Sequence, residues 1–211
     1  MNISITGTLG SGKSSVCKIL KENGYDIISN GVLFREIAEE KGITVVELNE
    51  LAKKDKSIDD MLDERSIRLG KELDSTIFDS RMGWHFIPDS FKVFLLADMT
   101  EAGRRVYNDN RVSESYNDPA TAKADLIKRQ LMEKKRFSDL YQTDYLNLNN
   151  YDLVIESTYA TPDQIAEQIL KGVEEKVMSQ AKLNPKSLYP AEEAKDEGEI
   201  LVTPIHNKFI L

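Results

Sequence analysis

The segment Gly7-Thr8-Leu9-Gly10-Ser11-Gly12-Lys13-Ser14 constrains what this chain can fold into more than any other. It matches G-x-x-x-x-G-K-[ST] at every fixed position and lies between an apolar run, Ile3–Thr6, and an amphipathic stretch, Lys13–Glu22, that Gly24 closes. A strand, a glycine-rich turn and a helix in that order form a phosphate cradle. The glycines let the backbone curl so that successive N–H groups converge on phosphate oxygens, and the helix adds its positive N-terminal end. Lys13 can neutralise β- and γ-phosphates, and the Ser14 hydroxyl can ligate Mg²⁺. Residues Gly7 to Ser15 are therefore expected to bind ATP, with Ser14 as the metal contact.

Beyond the loop, short apolar runs alternate with helical stretches, the pattern of a parallel sheet covered by helices. Strands are expected at Ile3–Thr6, Asp26–Ile28, Thr76–Asp79, Phe91–Leu96 and Tyr151–Ile155. Capping boxes at Thr44–Glu47 and Ser57–Asp60 should open two helices, and Thr100 should cap another. Asp118-Pro119 and Thr161-Pro162 each pair a cap with a proline at the first helical position, launching helices to Arg136 and to about Met178. After Met178 the character changes to loop, with an acidic run from Glu192 to Glu199. The final ILVTPIHNKFIL supplies two strand-like pieces around Thr203-Pro204, a hairpin or an edge addition, since proline keeps it off a central strand.

Composition removes several classes. A hydrophobic fraction of 40% supports a buried core, and no apolar run approaches the ~20 residues that span a bilayer. The N-terminus has no leader character, so a cytoplasmic chain without a membrane partner is expected. A net charge of −8 argues against binding a nucleic acid polymer, while a few arginines in one cleft can still gather a small anion. Cys17 is the only cysteine, and His85 and His206 the only histidines, which leaves little for a disulfide, a zinc cluster or a histidine triad. The residues assign no oligomeric state.

A phosphate loop does not name its reaction. Neither a D-x-x-G after the third strand nor an N-K-x-D motif is present, which weighs against a GTPase. The segments GTLGSGKSS, S-N-G-V-L-F-R-E from Ser29, IFDSRMGW from Ile77 and RFSDLYQTDYLNLNNYDLVIEST from Arg136 follow one another in register. Together, from Met1 to about Gly172, they resemble the cytidylate kinases of the short archaeal and bacterial type. That resemblance implies an α/β P-loop three-layer sandwich with a five-stranded parallel sheet. It also implies an acceptor-binding insertion at about 30–72 and a lid at about 110–136, within a kinase domain of residues 1–178. Residues 179–211 would be a C-terminal extension of unknown role.

The implied reaction is ATP-dependent phosphorylation of a nucleoside monophosphate, CMP or dCMP, with Mg²⁺. Carried over, Ser29 and Arg35 lie in the acceptor region, Arg81 clamps the acceptor phosphate, and Arg111, Arg129 and Arg136 match basic positions in and beside the lid. Asp144 matches an acidic position near the acceptor pocket. Asp79 and Ser80 stand where the family usually has Glu and Gly, and Gln142-Thr143 where it often has Gly-Ile. Independently, Arg129 and Arg136 are seven apart on one expected helix and share a face, as an arginine-lined lid around a charge-dispersed transition state requires. Trp84 and Phe86 fit core packing better than a stacking wall. Two rivals are another small-molecule P-loop kinase, such as a dephospho-coenzyme A kinase, and a nucleotide-binding regulatory protein with little turnover.

Overall fold

The computed structural model describes residues 1–109, 116–183 and 209–210. Fourteen elements follow in chain order: β1 (Ile3–Gly7), α1 (Lys13–Glu22), β2 (Asp26–Ser29), α2 (Asn30–Glu40), α3 (Val45–Ala52), α4 (Ser57–Glu72), β3 (Thr76–Asp79), α5 (Gly83–Phe86), β4 (Phe91–Leu96), α6 (Met99–Asn108), α7 (Pro119–Tyr141), β5 (Leu153–Glu156), α8 (Pro162–Leu183) and β6 (Phe209–Ile210). The five expected strands form a parallel sheet, and the two-residue β6 extends it alongside β5 in the order β2-β3-β1-β4-β5-β6. The strand-like C-terminal piece thus ends at an edge, off the central strands that proline excludes.

The order decides where a ligand can sit. β1 lies between β3 and β4, so the chain leaves it toward one side of the sheet and later returns on the other. Such a reversal opens a crevice at the carboxyl ends of the strands, and the phosphate loop begins there. β1 is buried along its whole length, Ile3 and Ile5 in the core and the buried Ser4 and Thr6 hydroxyls hydrogen-bonded to Ser90 and to the Ser80 carbonyl. On one face, Val16, Cys17 and Leu20 of α1 and Ile165, Ile169 and Val173 of α8 pack against Ile3, Ile5, Val93 and Ile155. On the other, Phe94, Tyr151 and Val154 take Trp84 and Leu146 against them. Trp84 and Phe86 belong to this packing: the Trp84 ring lies 5.8 Å from Tyr151, and Phe86 meets Tyr141 edge-on at 5.3 Å.

Helices α2, α3 and α4 have a small core of their own, Ile37, Ala38, Leu48 and Ile58. They form the insertion expected between the second and third strands. Leu9 of the phosphate loop instead packs with Ala102, Val106 and Leu126 of α6 and α7. The helix pair that follows β4 is thereby anchored on the loop itself. No helix among the described residues is long and apolar enough to cross a membrane.

Local signals set several boundaries. Thr44 and Glu47 close a full capping box on α3, and Asp118 caps α7 with Pro119 in its first turn. Two expected caps are replaced. Asp98, not Thr100, caps α6, its carboxylate accepting the Thr100 and Glu101 N–H groups, because Thr158 Oγ1 holds the Asp98 N–H at 2.8 Å and orients it. Ser57 opens no box, since Asp55 already accepts its N–H at 2.9 Å and α4 starts without a side-chain cap. β5 begins at Leu153, after a short 3₁₀ turn, because Tyr151 is drawn into the core and donates its hydroxyl to the Tyr145 carbonyl at 2.6 Å. Helix α7 runs five residues beyond Arg136 to Tyr141, ending where Gln142 turns left-handed at φ 54°.

Candidate active site

The phosphate loop is held by its own backbone and two neighbouring strand ends. Thr8 donates its N–H to the Leu95 carbonyl at 2.9 Å, and its hydroxyl accepts the Ala97 N–H at 3.0 Å. Ser157, just past β5, donates its hydroxyl to the Ser11 carbonyl at 3.0 Å. Glycine is required at two kinds of place. A side chain on Gly7 would put Cβ 2.4 Å from the Leu95 carbonyl oxygen, which no backbone shift accommodates cheaply. Gly12 precedes α1 at φ 86°, in the left-handed region that β-carbons disfavour. No side chain caps α1, so its positive end faces the loop mouth uncovered. Ser14 and Ser15 are exposed there, and the buried Ser11 hydroxyl oxygen has no hydrogen-bond partner among the described residues.

Lys13 sits among charges. Burial and the Arg81 guanidinium pull its ammonium down to about 8, against the opposing pull of Asp79, Cys17 and Glu133. Asp79 ends β3, level with Ile5 of β1 and with Ser29 of β2. Arg81, two residues on, donates Nη1 to the Gly7 carbonyl at 3.2 Å and Nε to Glu133 Oε2 at 2.8 Å. Thr6 fixes the intervening turn by donating its hydroxyl to the Ser80 carbonyl at 2.7 Å. Glu133 also accepts from the Tyr145 hydroxyl at 3.5 Å, and burial pushes that phenol well above its ordinary range. Arg81 is thus bonded at once to the phosphate loop and to α7.

The remaining expected residues are more dispersed. The Ser29 hydroxyl caps α2, accepting the Val32 N–H at 3.3 Å, and Arg35 is exposed one turn further along that helix. Asp144 pairs with Lys134 of α7 at 2.8 Å and accepts the Leu146 N–H. Arg129 and Arg136 share a face of α7. Arg129 lies 4.0 Å from Asp125, and Arg136 crosses to the insertion, donating Nη2 to Asp59 at 2.6 Å. Arg111 lies outside the described residues. So do residues 110–115 of the expected lid.

Sequence reasoning missed three participants. Glu133 stands four residues after Arg129 and three before Arg136, so the face already singled out contains it. Arg105 of α6 donates Nη2 to the Ser157 and Thr158 carbonyls at 2.8 and 2.7 Å and its Nε to Glu101, tying the loop after β5 to the phosphate loop's neighbour helix. No periodicity distinguishes it from Arg104, which among the described residues pairs with Glu101 alone. Asp63 accepts from the Tyr141 hydroxyl at 2.8 Å, and burial, helped by Asp59 and Asp60, raises its carboxyl to about 6. With Arg136–Asp59, this makes two polar links between the insertion and α7.

Comparison with known proteins agrees with this arrangement. The profile of the cytidylate kinase-like family matches residues 2–159. A cytidylate kinase of Sulfolobus acidocaldarius is 34% identical over 185 residues, 86% of this chain and 98% of that protein. A cytidylate kinase of Halobacterium salinarum is 32% identical over 98% of this chain and 97% of that protein. Among solved structures, the shikimate kinase of Bacteroides thetaiotaomicron shares the fold, with a TM-score of 0.55 at 15% identity over 84% of this chain and 98% of that one. A complete phosphate loop, an arginine bridging it to α7 and a profile match over most of the chain lead to one assignment: this chain belongs to the cytidylate kinase-like family and is a P-loop nucleoside monophosphate kinase.

Proposed function

We propose that the chain transfers the γ-phosphoryl group of ATP to CMP or dCMP, giving ADP and CDP or dCDP. The observation that carries the reading is Arg81, bonded to Gly7 of the phosphate loop and to Glu133 of α7 beside the half-buried Lys13. An acceptor phosphate entering beside Arg81 meets the γ-phosphate held by residues Gly7–Ser15. In this reading residues 1–178 are the kinase domain, with the acceptor-binding insertion at 30–72, the lid at 110–136 and an extension from 179.

The backbone N–H groups of the loop bind the donor phosphates, and Lys13 neutralises charge on the β- and γ-oxygens. Arg81 releases Glu133 and takes the acceptor phosphate, which orients the attacking oxygen. Arg129 and Arg136 on α7, with Arg111 of the lid, stabilise the equatorial oxygens as charge spreads over them. Ser29 and Arg35 act near the acceptor's base and phosphate, Asp79 binds an acceptor hydroxyl or meets Mg²⁺ through water, and Asp144 lies near the acceptor pocket. Their polar groups would reject a wrong base by leaving donors or acceptors unpaired, at about 1–3 kcal/mol each. Helix α7 excludes water, which keeps the phosphoryl group from hydrolysis.

The donor set at the loop is hard oxygen only: the Ser14 hydroxyl, with the Asp79 carboxylate at the neighbouring strand end. No group of three His, Cys, Asp or Glu side chains able to hold a metal exists among the described residues. Both facts fit Mg²⁺ arriving with the nucleotide, since that ion takes most of its ligands from phosphates and water. Bound there, it would offset charge on the β- and γ-oxygens.

The test is an acceptor panel with ATP and Mg²⁺. CMP and dCMP are expected to exceed AMP, GMP and dephospho-coenzyme A in kcat/KM by about a hundredfold, the effect of two unpaired polar groups. Equal use of all acceptors would contradict the cytidine assignment.

A pH dependence accompanies it. Lys13 in the free protein loses its proton near 8, and the charged form is the one that binds phosphate. ATP affinity should be flat below about pH 7 and then weaken by at most about tenfold per pH unit, with proton uptake on binding. Calorimetry in buffers of different ionisation enthalpy measures both. A dissociation constant unchanged to pH 9.5 would remove Lys13 from phosphate binding.

A further inference from the structure

Outside the crevice, a cleft of about 530 Å³ lies between the α3–α4 connection and the flank of α7. Its walls carry the cations Lys53, Lys54, Lys56, Lys135 and Arg136 and the carboxylates Asp55, Asp59 and Asp139, so positive charge exceeds negative there in a protein whose net charge is −8. Three of these cations are already paired: Lys53 with Glu50, Lys135 with Asp139 at 2.8 Å, and Arg136 with Asp59. Lys54 and Lys56 have no carboxylate partner among the described residues. Met132 and Leu140 supply an apolar floor, and Met132 is 63% exposed. The volume lies in the range that holds a nucleotide-sized ligand.

The cleft lies beside the reaction crevice, and Arg136 borders both. On α7, Met132, Lys135 and Asp139 occupy the flank beside the face that carries Arg129 and Glu133, and Arg136 stands on the border between the two. Glu133 reaches Arg81 on one side, while Arg136 reaches Asp59 on the wall of the cleft on the other. Uncompensated lysines focus potential in a concave site, so the cleft attracts anions carrying several charges.

We propose that this cleft binds a small polyanion, a chain of two or more phosphates, free or at the end of a nucleotide, and that the bound anion inhibits the kinase. The phosphates pair with Lys54 and Lys56 and compete with Asp59 for Arg136, which keeps that arginine from the transferring phosphoryl group. The inhibitory clause rests on the catalytic role proposed for Arg136; the binding clause does not. Inhibition of this kind lowers kcat and leaves the KM for ATP unchanged, unlike a phosphate chain competing at the loop. Excess free ATP would act in the same way.

Two measurements test it, with inorganic tripolyphosphate and ATP as probes. In calorimetry, the Lys13→Ala protein, whose phosphate loop is weakened, should bind tripolyphosphate about tenfold more tightly than Lys13→Ala carrying Lys54→Glu and Lys56→Glu, and less tightly as salt rises. Equal binding by the two proteins overturns the site. If ATP binds the cleft no more tightly than tripolyphosphate, the phosphate chain alone is recognised; tighter binding by ATP adds a nucleoside contact on Met132 and Leu140. In steady-state kinetics, tripolyphosphate should lower the kcat of the otherwise wild-type enzyme severalfold at saturating substrates. Lys54→Glu/Lys56→Glu should keep its basal kcat and require about tenfold more inhibitor. Binding in the cleft without any fall in kcat would overturn the inhibitory clause and leave the binding site standing.

Discussion

The Lys13→Ala protein is expected to fold normally and to lose about a hundred- to a thousandfold in kcat. Removing one preorganised donor from a site of developing charge costs roughly 10²–10³ in rate, and Lys13 acts on the donor phosphates that carry most of that charge. Its contribution to folding has the opposite sign. Burial lowers its ammonium to about 8, so between about pH 8 and its unfolded value of 10.5 the unfolded chain binds more protons, and stability rises with pH. Below about 8 the charged lysine is a desolvation cost that the fold carries. Removing it should therefore leave the melting temperature at neutral pH unchanged or higher. Circular dichroism melts beside a coupled ADP-release assay separate the two effects. A folded Lys13→Ala enzyme with wild-type turnover would contradict the phosphate-loop assignment.

Arg81→Ala should be nearly as damaging and differ in kind. The guanidinium bridges the Gly7 carbonyl and Glu133, and the proposed acceptor phosphate displaces Glu133 from it. Its loss removes a charge-assisted phosphate clamp and leaves Glu133 facing the Tyr145 hydroxyl alone. The kcat/KM for every monophosphate should fall by about 10²–10³-fold, and the ratio between CMP and AMP should stay where it was, because no base contact is lost. Arg81→Lys should recover only part, since a lysine cannot bond the carbonyl and the phosphate in one plane. Steady-state rates over the acceptor panel measure this. A variant that kept its rate on CMP but lost discrimination would place Arg81 at the base instead.

The sequence displayed some of these features and not others, for physical reasons. The phosphate loop was legible because its requirements are local: Gly10 and Gly12 must turn left-handed just before α1. The Thr44 box and the Asp118-Pro119 start were legible because the partners lie within three residues. Asp98 displaced Thr100 as a cap through Thr158, sixty residues away, which no local rule contains. Ser29 carries a helix cap because α2 begins directly at the end of β2. The shared face of Arg129 and Arg136 followed from helical spacing, but the Arg136–Asp59 pair depends on how α4 packs against α7. Glu133 lay on that same face and was passed over because a search for phosphate ligands selects cations. The final apolar piece looked like a strand, yet its pairing with β5 is a choice among sheet edges that sequence leaves open.

The central claim is that the crevice moves a phosphoryl group between two nucleotides and does not give it to water. Phosphorus-31 NMR of ATP, Mg²⁺ and CMP with the enzyme tests this directly. ADP and CDP should appear in equal amounts, with no inorganic phosphate and no ATP loss when CMP is omitted. ADP accompanied by inorganic phosphate and no CDP would contradict the account.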